Sequence, residues 1–159
     1  MKKLLLIRHA KATHESGFID FERPLTDKGF HQAELMVSRL NADHIKPQIL
    51  IASPALRTLS TANVFSQALG LPQAITNSNI YDASESMLLK VIYNLPDEHD
   101  FIALVGHNPG ISQVLYYLSN EIKDVPTCAI ALIEFEVQSW MELYEGAGKL
   151  SYYNTPKIN

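Results

Sequence analysis

The chain has 159 residues, a length that fits one domain built around a single hydrophobic core. Hydrophobic residues make up 47% of it and charged residues 19%, which is typical of a folded globular protein and excludes a disordered one. The net charge of -4 gives no electrostatic reason to expect nucleic acid or an anionic membrane as the main partner. We therefore expect one domain, residues 1–159, without a nucleic-acid or membrane partner.

The single cysteine and the N-terminal segment indicate the compartment. Cys128 alone cannot form an internal disulfide bond or supply a zinc cluster. The N-terminal apolar run is interrupted by Arg8-His9 after four residues, whereas a secretory signal needs roughly 7–15. No stretch approaches the roughly 20 apolar residues of a membrane-spanning helix. We expect a cytoplasmic protein.

Four short apolar segments are predicted to be strands. They cover residues 3–7, 49–52, 101–105 and 129–135. The first three are nearly continuous in Leu, Ile, Val and Ala, which is typical of central strands covered on both faces. The fourth alternates toward its end and therefore suits a strand nearer an edge. Residues 73–76 are a candidate for a further short strand.

Segments with helical spacing separate these strands. Thr26 is predicted to cap the first helix, and Ser53-Pro54 has the form of a second helix start. A third helix opens at Ser84 or Asp82, and a fourth begins at Pro109. Strands that alternate with helices predict a three-layer α/β fold with a mostly parallel central sheet flanked by helices.

Polar side chains follow three of the predicted strands, at the point where each strand ends. Arg8-His9 follows the first strand, Arg57 lies shortly after the second, and His107 follows the third. Because ligands bind beyond the carboxyl ends of parallel strands, we expect these four side chains to face one crevice. Guanidinium groups match phosphate or carboxylate oxygens, and imidazoles act as nucleophile, acid or base near neutral pH. The pattern indicates an anion that is attacked rather than merely held.

Each of these motifs also has an ordinary structural interpretation. Arg8-His9 would suit a turn or a surface ion pair, and Arg57 a solvated helix position. The segment 106–109 would suit a strand-to-helix turn, where Asn and Pro are common for backbone reasons. A functional interpretation is favoured because three unrelated motifs would otherwise all end at the same edge of one sheet.

The motifs, taken in order, resemble the histidine phosphatase superfamily, which has the phosphoglycerate-mutase-like fold. They are Leu6-Ile7-Arg8-His9-Ala10, Pro24-Leu25-Thr26-Asp27-Lys28-Gly29, Ser53-Pro54-Ala55-Leu56-Arg57-Thr58 and Val105-Gly106-His107-Asn108-Pro109. The short length, Arg23-Pro24-Leu25-Thr26 and the segment 126–130 are most similar to SixA-type phosphohistidine phosphatases. The resemblance covers nearly the whole chain.

The resemblance implies a role for each matched position. His9 corresponds to the histidine nucleophile, and Arg8 to a phosphate clamp beside it. Arg57 corresponds to the second arginine, and His107 to a second histidine that hydrogen-bonds a phosphate oxygen. Arg23 matches a position near the mouth that adds positive charge. Two neighbouring residues are candidates either for substrate contact or for local caps and turns: Asn108 and Thr58.

Two positions depart from the family pattern. Ala10 stands where the commonest triplet, Arg-His-Gly, has glycine, which would matter if that residue needed a positive φ. Asn108 stands where some phosphatases carry an aspartate as the general acid. Glu85 is the best remaining candidate for that acid and Asp82 a weaker one, although a first-turn acid also favours the helix dipole. A phosphohistidine has a relatively good leaving group, so a weak or absent acid fits a SixA-type enzyme.

The resemblance implies hydrolysis of a phosphomonoester or phosphoramidate through a phosphohistidine on His9, with no cofactor and no metal ion. The expected partner is a phosphorylated protein, such as a histidine-containing phosphotransfer domain, or a small phosphorylated substrate. We expect a monomer. Four other histidines lack metal-ligand spacing and are predicted to be surface residues: His14, His31, His44 and His99.

Three alternatives to a protein phosphohistidine phosphatase remain. The first two are a small-molecule phosphatase and a phosphoglycerate-mutase-like enzyme. Residues 12–22 and 77–84 leave little room for the lid that mutases of the superfamily generally carry. The third is a phosphate-binding module without activity, because one fold can host several functions. A pure binding module has no need for a nucleophile at position 9.

Overall fold

A six-stranded sheet flanked by four helices forms the computed structural model, which describes residues 1–157. The strands are β1 (Lys2–Arg8), β2 (Ile49–Ala52), β3 (Ile75–Thr76), β4 (Phe101–Gly106), β5 (Ile130–Phe135) and β6 (Gly148–Asn154). The helices are α1 (Asp27–Ala42), α2 (Leu56–Leu69), α3 (Glu85–Tyr93) and α4 (Gly110–Ser119). Short 3-10 turns occur at Asp20–Glu22, Ser78–Ile80 and Trp140–Glu142. In this range, no helix has the length and apolarity that a membrane crossing requires.

The order of the strands brings the predicted motifs together. The sheet order is β3-β2-β4-β1-β5-β6. Strands β1 to β4 are parallel to one another, β5 is antiparallel to β1, and β6 is antiparallel to β5. Arg8 is in register with Gly106, and Ala52 with Val105. The chain therefore leaves β1, β2 and β4 at the same edge of the sheet, and the predicted convergence of their carboxyl ends follows from this register.

Alternate residues of β1 pack into two separate hydrophobic layers. Leu4 and Leu6 lie in the layer that contains the apolar side chains of α3 and α4. Leu5 and Ile7 lie in the layer that contains those of α1 and α2. Helices on both faces keep a central strand away from water, which explains its continuous apolar sequence. The predicted three-layer α/β fold with a mostly parallel sheet is confirmed.

Helix starts show where local sequence signals succeed. The Thr26 hydroxyl accepts a hydrogen bond from the Gly29 amide and caps α1, as predicted. The Ser84 hydroxyl does the same for Met87 at the start of α3, so Ser84, not Asp82, is the cap. Pro109 is the N-cap residue of α4, which agrees with the predicted start within one residue.

Two sequence-based element predictions need correction. The helix expected from Ser53-Pro54 begins only at Leu56, with Ala55 as its N-cap residue, because the Ser53 side chain is engaged by a histidine across the sheet. Strand β6 was not predicted, since its segment has no apolar run and alternates only weakly between half-buried and exposed residues. It pairs with β5 and leaves β5 one position in from the edge.

Candidate active site

A cavity of about 670 Å³ opens at the carboxyl ends of β1 and β4 and the start of α2. It is lined by the four residues predicted to carry the chemistry: Arg8, His9, Arg57 and His107. Arg23 and Asn108, the two further residues predicted to bind substrate, also line it. The register of the sheet therefore brings six of the seven predicted site residues into one cavity.

His9 is held by main-chain hydrogen bonds to both sides of β1. Its amide donates to the Gly106 carbonyl at 3.0 Å, and its carbonyl accepts from the Cys128 amide at 3.0 Å. The ring Nδ1 lies 2.7 Å from the carbonyl oxygen of Ala10. Because a carbonyl can only accept, Nδ1 carries the proton and donates, which leaves the lone pair on Nε2. Nε2 is thus the ring nitrogen whose lone pair is free.

The environment of His9 keeps its ring uncharged. The side chain is buried, and burial lowers its pKa from 6.5 to about 3, although the hydrogen bond to Ala10 opposes the shift. The positive charges of Arg57 and Arg8 lower the pKa further. Only a neutral imidazole can act as a nucleophile, so the positive charges around His9 favour the form of the ring that is able to do so.

His107 lies beside His9, with 5.4 Å between the ring centroids. Its Nε2 lies 2.8 Å from the Ser53 hydroxyl oxygen, which accepts from the Ala55 amide at 3.3 Å. The Ser53 hydroxyl keeps a proton that it can donate, and in the tautomer where Nε2 accepts it the ring proton is on Nδ1. Burial, with Arg57 nearby, lowers the pKa of His107 to about 4, so the neutral ring offers one N–H donor.

Three buried side-chain nitrogens at this site have no hydrogen-bond partner within residues 1–157. They are Nε of Arg8, Nε of Arg57 and Nδ1 of His107. Buried polar groups are normally paired, and leaving a donor unpaired costs about 1–3 kcal/mol. A tetrahedral oxyanion offers several acceptor oxygens at once. The site therefore has the donor set and the positive charge that a phosphoryl group requires.

Asp20 is a site residue that the sequence analysis missed. Its Oδ2 accepts from the Tyr81 hydroxyl at 2.6 Å and from Nη2 of Arg57 at 3.1 Å, while its Oδ1 accepts from Nε of Arg23 at 3.1 Å. These donors, the Tyr81 hydroxyl above all, lower the pKa of Asp20 to about 2. A carboxylate that stays ionised at neutral pH cannot protonate a leaving group. Asp20 therefore orients its cationic neighbours.

The sequence held only a weak signal for Asp20 and its partners. The spacing of three residues to Arg23 suggests a local ion pair on one turn. Its contacts with Arg57 and Tyr81 join residues 37 and 61 positions apart, so no local pattern reveals them. Ser53 was identified only as a helix start, whereas its hydroxyl contacts His107, 54 positions away.

Two residues beside the motifs have mainly local partners. Asn108 donates to the Val125 carbonyl at 3.1 Å, and the same carbonyl accepts from Nη1 of Arg8 at 2.8 Å. Asn108 thus lines the cavity and shares the Val125 carbonyl as an acceptor with Arg8. The Thr58 hydroxyl donates to the carbonyls of Ser53 and Ala55, which is a turn-stabilising role.

Ala10 fits its position without strain. Its φ is not among the positive values that the structure contains, so the missing glycine has no conformational consequence. The Ala10 amide donates to the Thr61 hydroxyl at 3.0 Å, and its carbonyl accepts from His9. The residue is fully buried, which leaves room for a methyl group but little more.

Glu85 is the one predicted site residue that the fold does not bring to the cavity. It is the first residue of α3 and lines a separate surface recess with Ser86, Pro109 and Gln113. Asp82, the weaker candidate for the general acid, lines an intermediate cavity beside Tyr81 and His107. The start of α3 sets the position of Glu85, because Ser84 caps that helix. The geometry gives a general-acid role for Glu85 no support.

The cavity is strongly basic although the chain as a whole is acidic. Among the described residues that line it there is no Asp or Glu. His14 and His31 are exposed, as predicted, yet they line the mouth. Within residues 1–157, no three His, Cys, Asp or Glu side chains are grouped to hold a metal ion. The positively charged lining residues are Arg8, Lys11, Arg23, Lys28, Arg57 and Lys157.

Comparison with known proteins agrees with this geometry. The family model described as "Histidine phosphatase superfamily (branch 1)" matches residues 4–79, which contain Arg8, His9 and Arg57. The chain is therefore similar to the histidine phosphatase superfamily over a little less than half of its length. An uncharacterized chloroplastic protein of Arabidopsis thaliana is 26% identical over 159 residues, which cover 92% of this chain and 72% of that protein.

Solved structures of the superfamily share the fold over nearly the whole chain. One is a protein of Agrobacterium tumefaciens named as a candidate phosphohistidine phosphatase SixA, with a TM-score of 0.84, 24% identity and 98% of each chain covered. Another is the protein histidine phosphatase SixA complexed with tungstate, with a TM-score of 0.83, 21% identity and 97% of each chain covered. The fold is therefore that of the SixA-type, phosphoglycerate-mutase-like branch of α/β proteins.

Proposed function

We propose that this chain is a phosphatase that removes the phosphoryl group from phosphohistidine on a protein and carries it transiently on Nε2 of His9. The superfamily supports phosphatase activity. One observation carries the proposal: a free imidazole lone pair and three buried nitrogens without a partner in residues 1–157 belong to residues that line the same cavity. Donors alone suit a binding site, whereas a neutral nucleophile among them suits phosphoryl transfer.

In the first step, the Nε2 lone pair of His9 attacks phosphorus. The bond between phosphorus and the substrate nitrogen breaks, and its electron pair stays on the leaving imidazole, which takes a proton from solvent. Arg8, Arg57 and the Nδ1 proton of His107 donate to the equatorial oxygens, where charge is spread in the transition state. Nδ1 of His9 keeps its proton and its hydrogen bond to Ala10 throughout.

In the second step, water hydrolyses the phosphorylated His9. The water oxygen attacks phosphorus, the bond to Nε2 breaks, and its electron pair returns to the ring as the lone pair. The water proton passes to solvent, and inorganic phosphate leaves. The same donors serve both steps. The phosphoryl oxygens stay at one place, while water replaces the leaving imidazole on the side of phosphorus opposite His9.

The absence of a positioned acid at the cavity supports a phosphoramidate substrate. Asp20 stays ionised, with its pKa near 2, and Glu85 lies outside the cavity. An alkoxide leaving group needs a proton donor in place, whereas an imidazole nitrogen leaves more readily. The shared fold with SixA complexed with tungstate, a tetrahedral oxyanion, supports the same proposal. The buried, unpaired Cys128 also favours a reducing compartment, so we include the cytoplasm in the proposal.

The test compares three substrates: a phosphohistidine protein, a phosphoserine peptide and a small sugar phosphate. We expect the first to be hydrolysed fastest, and labelled substrate to leave an acid-labile, base-stable phosphate on the wild-type enzyme. His9→Ala should lose turnover and labelling but still bind vanadate, while the exposed His44→Ala serves as the control. Turnover by His9→Ala would contradict the proposal, and phosphate moving within a sugar acid without release would indicate a mutase.

A further inference from the structure

Exposed apolar side chains flank the Asp20–Arg57 ion pair. Ile19 is 63% exposed and Phe18 46%, and both lie directly before Asp20. Leu56, which precedes Arg57, is 41% exposed. None of the three belongs to either hydrophobic layer of the fold. The residues that orient the phosphate clamp thus lie within an exposed apolar surface at the edge of the site.

The segment that carries Phe18 and Ile19 is anchored in place. The Glu22 amide donates to the Ile19 carbonyl at 3.0 Å and closes the 3-10 turn. The Asp20 carboxylate accepts from three side chains, as described above, and the Phe21 ring packs edge-on against Tyr81 at 5.1 Å. Because consecutive Cα atoms are about 3.8 Å apart, Ile19 stays close to the Arg57 guanidinium. The apolar side chains are therefore presented to solvent by an ordered segment.

Basic side chains line the cavity to which Arg23 and Arg57, the two cationic partners of Asp20, also belong. Lys11, Lys28 and Lys157 line the same cavity but are not among the residues assigned to hold the phosphoryl group. The Lys11 main chain is fixed against α1, since its amide donates to Gln32 Oε1 at 2.9 Å and its carbonyl accepts from the Thr26 amide at 2.9 Å. A small phosphorylated molecule would contact neither the apolar side chains nor these lysines.

We propose that Phe18 and Ile19 form a docking surface for a phosphorylated protein, whose apolar side chains they contact while its acidic side chains pair with Lys11 and Lys28. This inference rests on the proposed function and names the kind of protein surface that surrounds the phosphorylated residue. Charge complementarity supports this occupant, because an acidic surface meets a cavity lining without Asp or Glu. The apolar contacts add binding energy that a bare phosphate cannot supply.

A second copy of this chain is a poorer occupant. In a two-fold symmetric dimer, the same patch of both subunits meets across the axis. The basic cavities beside Phe18 and Ile19 would then face each other, and like charges across an interface oppose association. An acidic partner protein avoids this repulsion.

The test uses the double variant Phe18→Ser/Ile19→Ser, which alters exposed side chains outside the phosphate-holding group. We expect kcat/KM for an acidic phosphohistidine protein to fall at least about tenfold. We expect kcat/KM for a small aryl phosphate to change less than about twofold, because a surface substitution leaves the reacting groups in place. Met141→Ser/Tyr144→Ser is the matched control, since these side chains are 75% and 62% exposed and lie in the segment before β6.

A second arm tests the charge. Lys28→Glu should lower kcat/KM for the acidic protein at least about fivefold more than for the aryl phosphate. Equal losses on both substrates in either arm would overturn the docking proposal, as would unchanged activity on the protein. The proposal would also be overturned if the wild-type enzyme is a dimer that Phe18→Ser/Ile19→Ser dissociates, with an equal loss of kcat/KM on both substrates. If the wild-type enzyme does not hydrolyse the phosphohistidine protein but does hydrolyse other phosphates, the proposed function fails instead.

Discussion

Asp20 binds one edge of the Arg57 guanidinium and leaves the other edge free. Its carbonyl oxygen accepts from Nη1 at 2.7 Å and its Oδ2 from Nη2 at 3.1 Å, while Nε has no partner within residues 1–157. Because Asp20 binds the edge formed by Nη1 and Nη2, the planar guanidinium can present only the edge that contains Nε to a second anion. In the proposed mechanism, Asp20 thus sets the direction in which Arg57 meets a phosphoryl oxygen.

We therefore predict that Asp20→Ala lowers kcat about tenfold, because Arg57 loses its fixed orientation. The measurement is kcat on a phosphohistidine protein, repeated in an Arg57→Ala background as a double-mutant cycle. In that background the second substitution should have little further effect. Glu22→Ala, on the same 3-10 turn, is the control. An equal loss with and without Arg57 would show that Asp20 acts by another route.

Ser53→Ala should lower kcat roughly fivefold, since the His107 ring loses the hydroxyl that fixes its tautomer and a hydrogen bond contributes about 1 kcal/mol. Ser66→Ala is the matched control. Ser66 is also buried, but its hydroxyl donates to the Asn63 carbonyl one turn earlier on α2. Nitrogen NMR of the imidazole should show the His107 proton shared between the two ring nitrogens in Ser53→Ala. An unchanged ring spectrum would contradict the assigned role.

Both active-site histidines should stay neutral down to about pH 5. Burial lowers the pKa of His9 to about 3 and that of His107 to about 4, against 6.5 in the unfolded chain. Their imidazole ¹⁵N shifts should therefore be constant between about pH 8 and 5. Assignment uses His9→Gln and His107→Gln. Titration of either ring near pH 6.5 would contradict the expectation.

The same shifts predict how stability depends on pH. Below about pH 6.5 the unfolded chain protonates both histidines, whereas the folded chain keeps them neutral until about pH 4 and 3. The unfolded state therefore binds more protons in this window, and the free energy of unfolding falls as the pH falls. Urea unfolding should show a shallower pH dependence in His9→Gln, because one of the two groups is gone. An identical dependence in both proteins would rule out His9 as a contributor.

Glu85→Gln should change kcat less than about twofold, because Glu85 lies outside the cavity and general acids contribute about 10²–10⁴-fold. Lys90→Gln, on the exposed side of the same helix, is the control, and it changes the net charge by one unit in the opposite direction. A hundredfold loss would restore Glu85 as the general acid and would require α3 to move toward His9.

Gly29 is predicted to tolerate no side chain, although it lies in a helix. A Cβ at this position would overlap the carbonyl oxygen of Lys11, so Gly29→Ala should destabilise the fold by about 1–3 kcal/mol despite the better helix propensity of alanine. Lys28→Ala, the preceding residue, should stay within about 0.5 kcal/mol. Urea unfolding measures both, and a more stable Gly29→Ala would show that the Lys11 segment yields easily.

The sequence was enough to identify the groups that directly follow strands. Arg8, His9 and His107 come at strand ends, and parallel strands bring such positions to one edge by geometry alone. Arg57 needed only the helical turn after β2. These residues could be predicted because local patterns determine both the strand and its end.

The groups that orient those residues could not be predicted. Asp20, Ser53 and Tyr81 act on side chains far along the chain, and their contacts depend on how loops fold over the finished sheet. The location of Glu85 was predicted incorrectly for the converse reason. Its place at the start of a helix is correct, but the direction in which that helix start faces depends on tertiary packing. Strand β6 was missed because an edge strand needs no apolar run.

In the proposed mechanism, the hydrogen bond from Nδ1 of His9 to the Ala10 carbonyl decides which isomer of phosphohistidine forms. Attack through Nε2 yields the 3-phospho isomer, so an antibody selective for that isomer should detect the trapped intermediate and one selective for the 1-phospho isomer should not. The acceptor is a main-chain oxygen of the adjacent residue. No single side-chain replacement can delete it, so the regiochemistry of the intermediate is encoded in the peptide backbone itself.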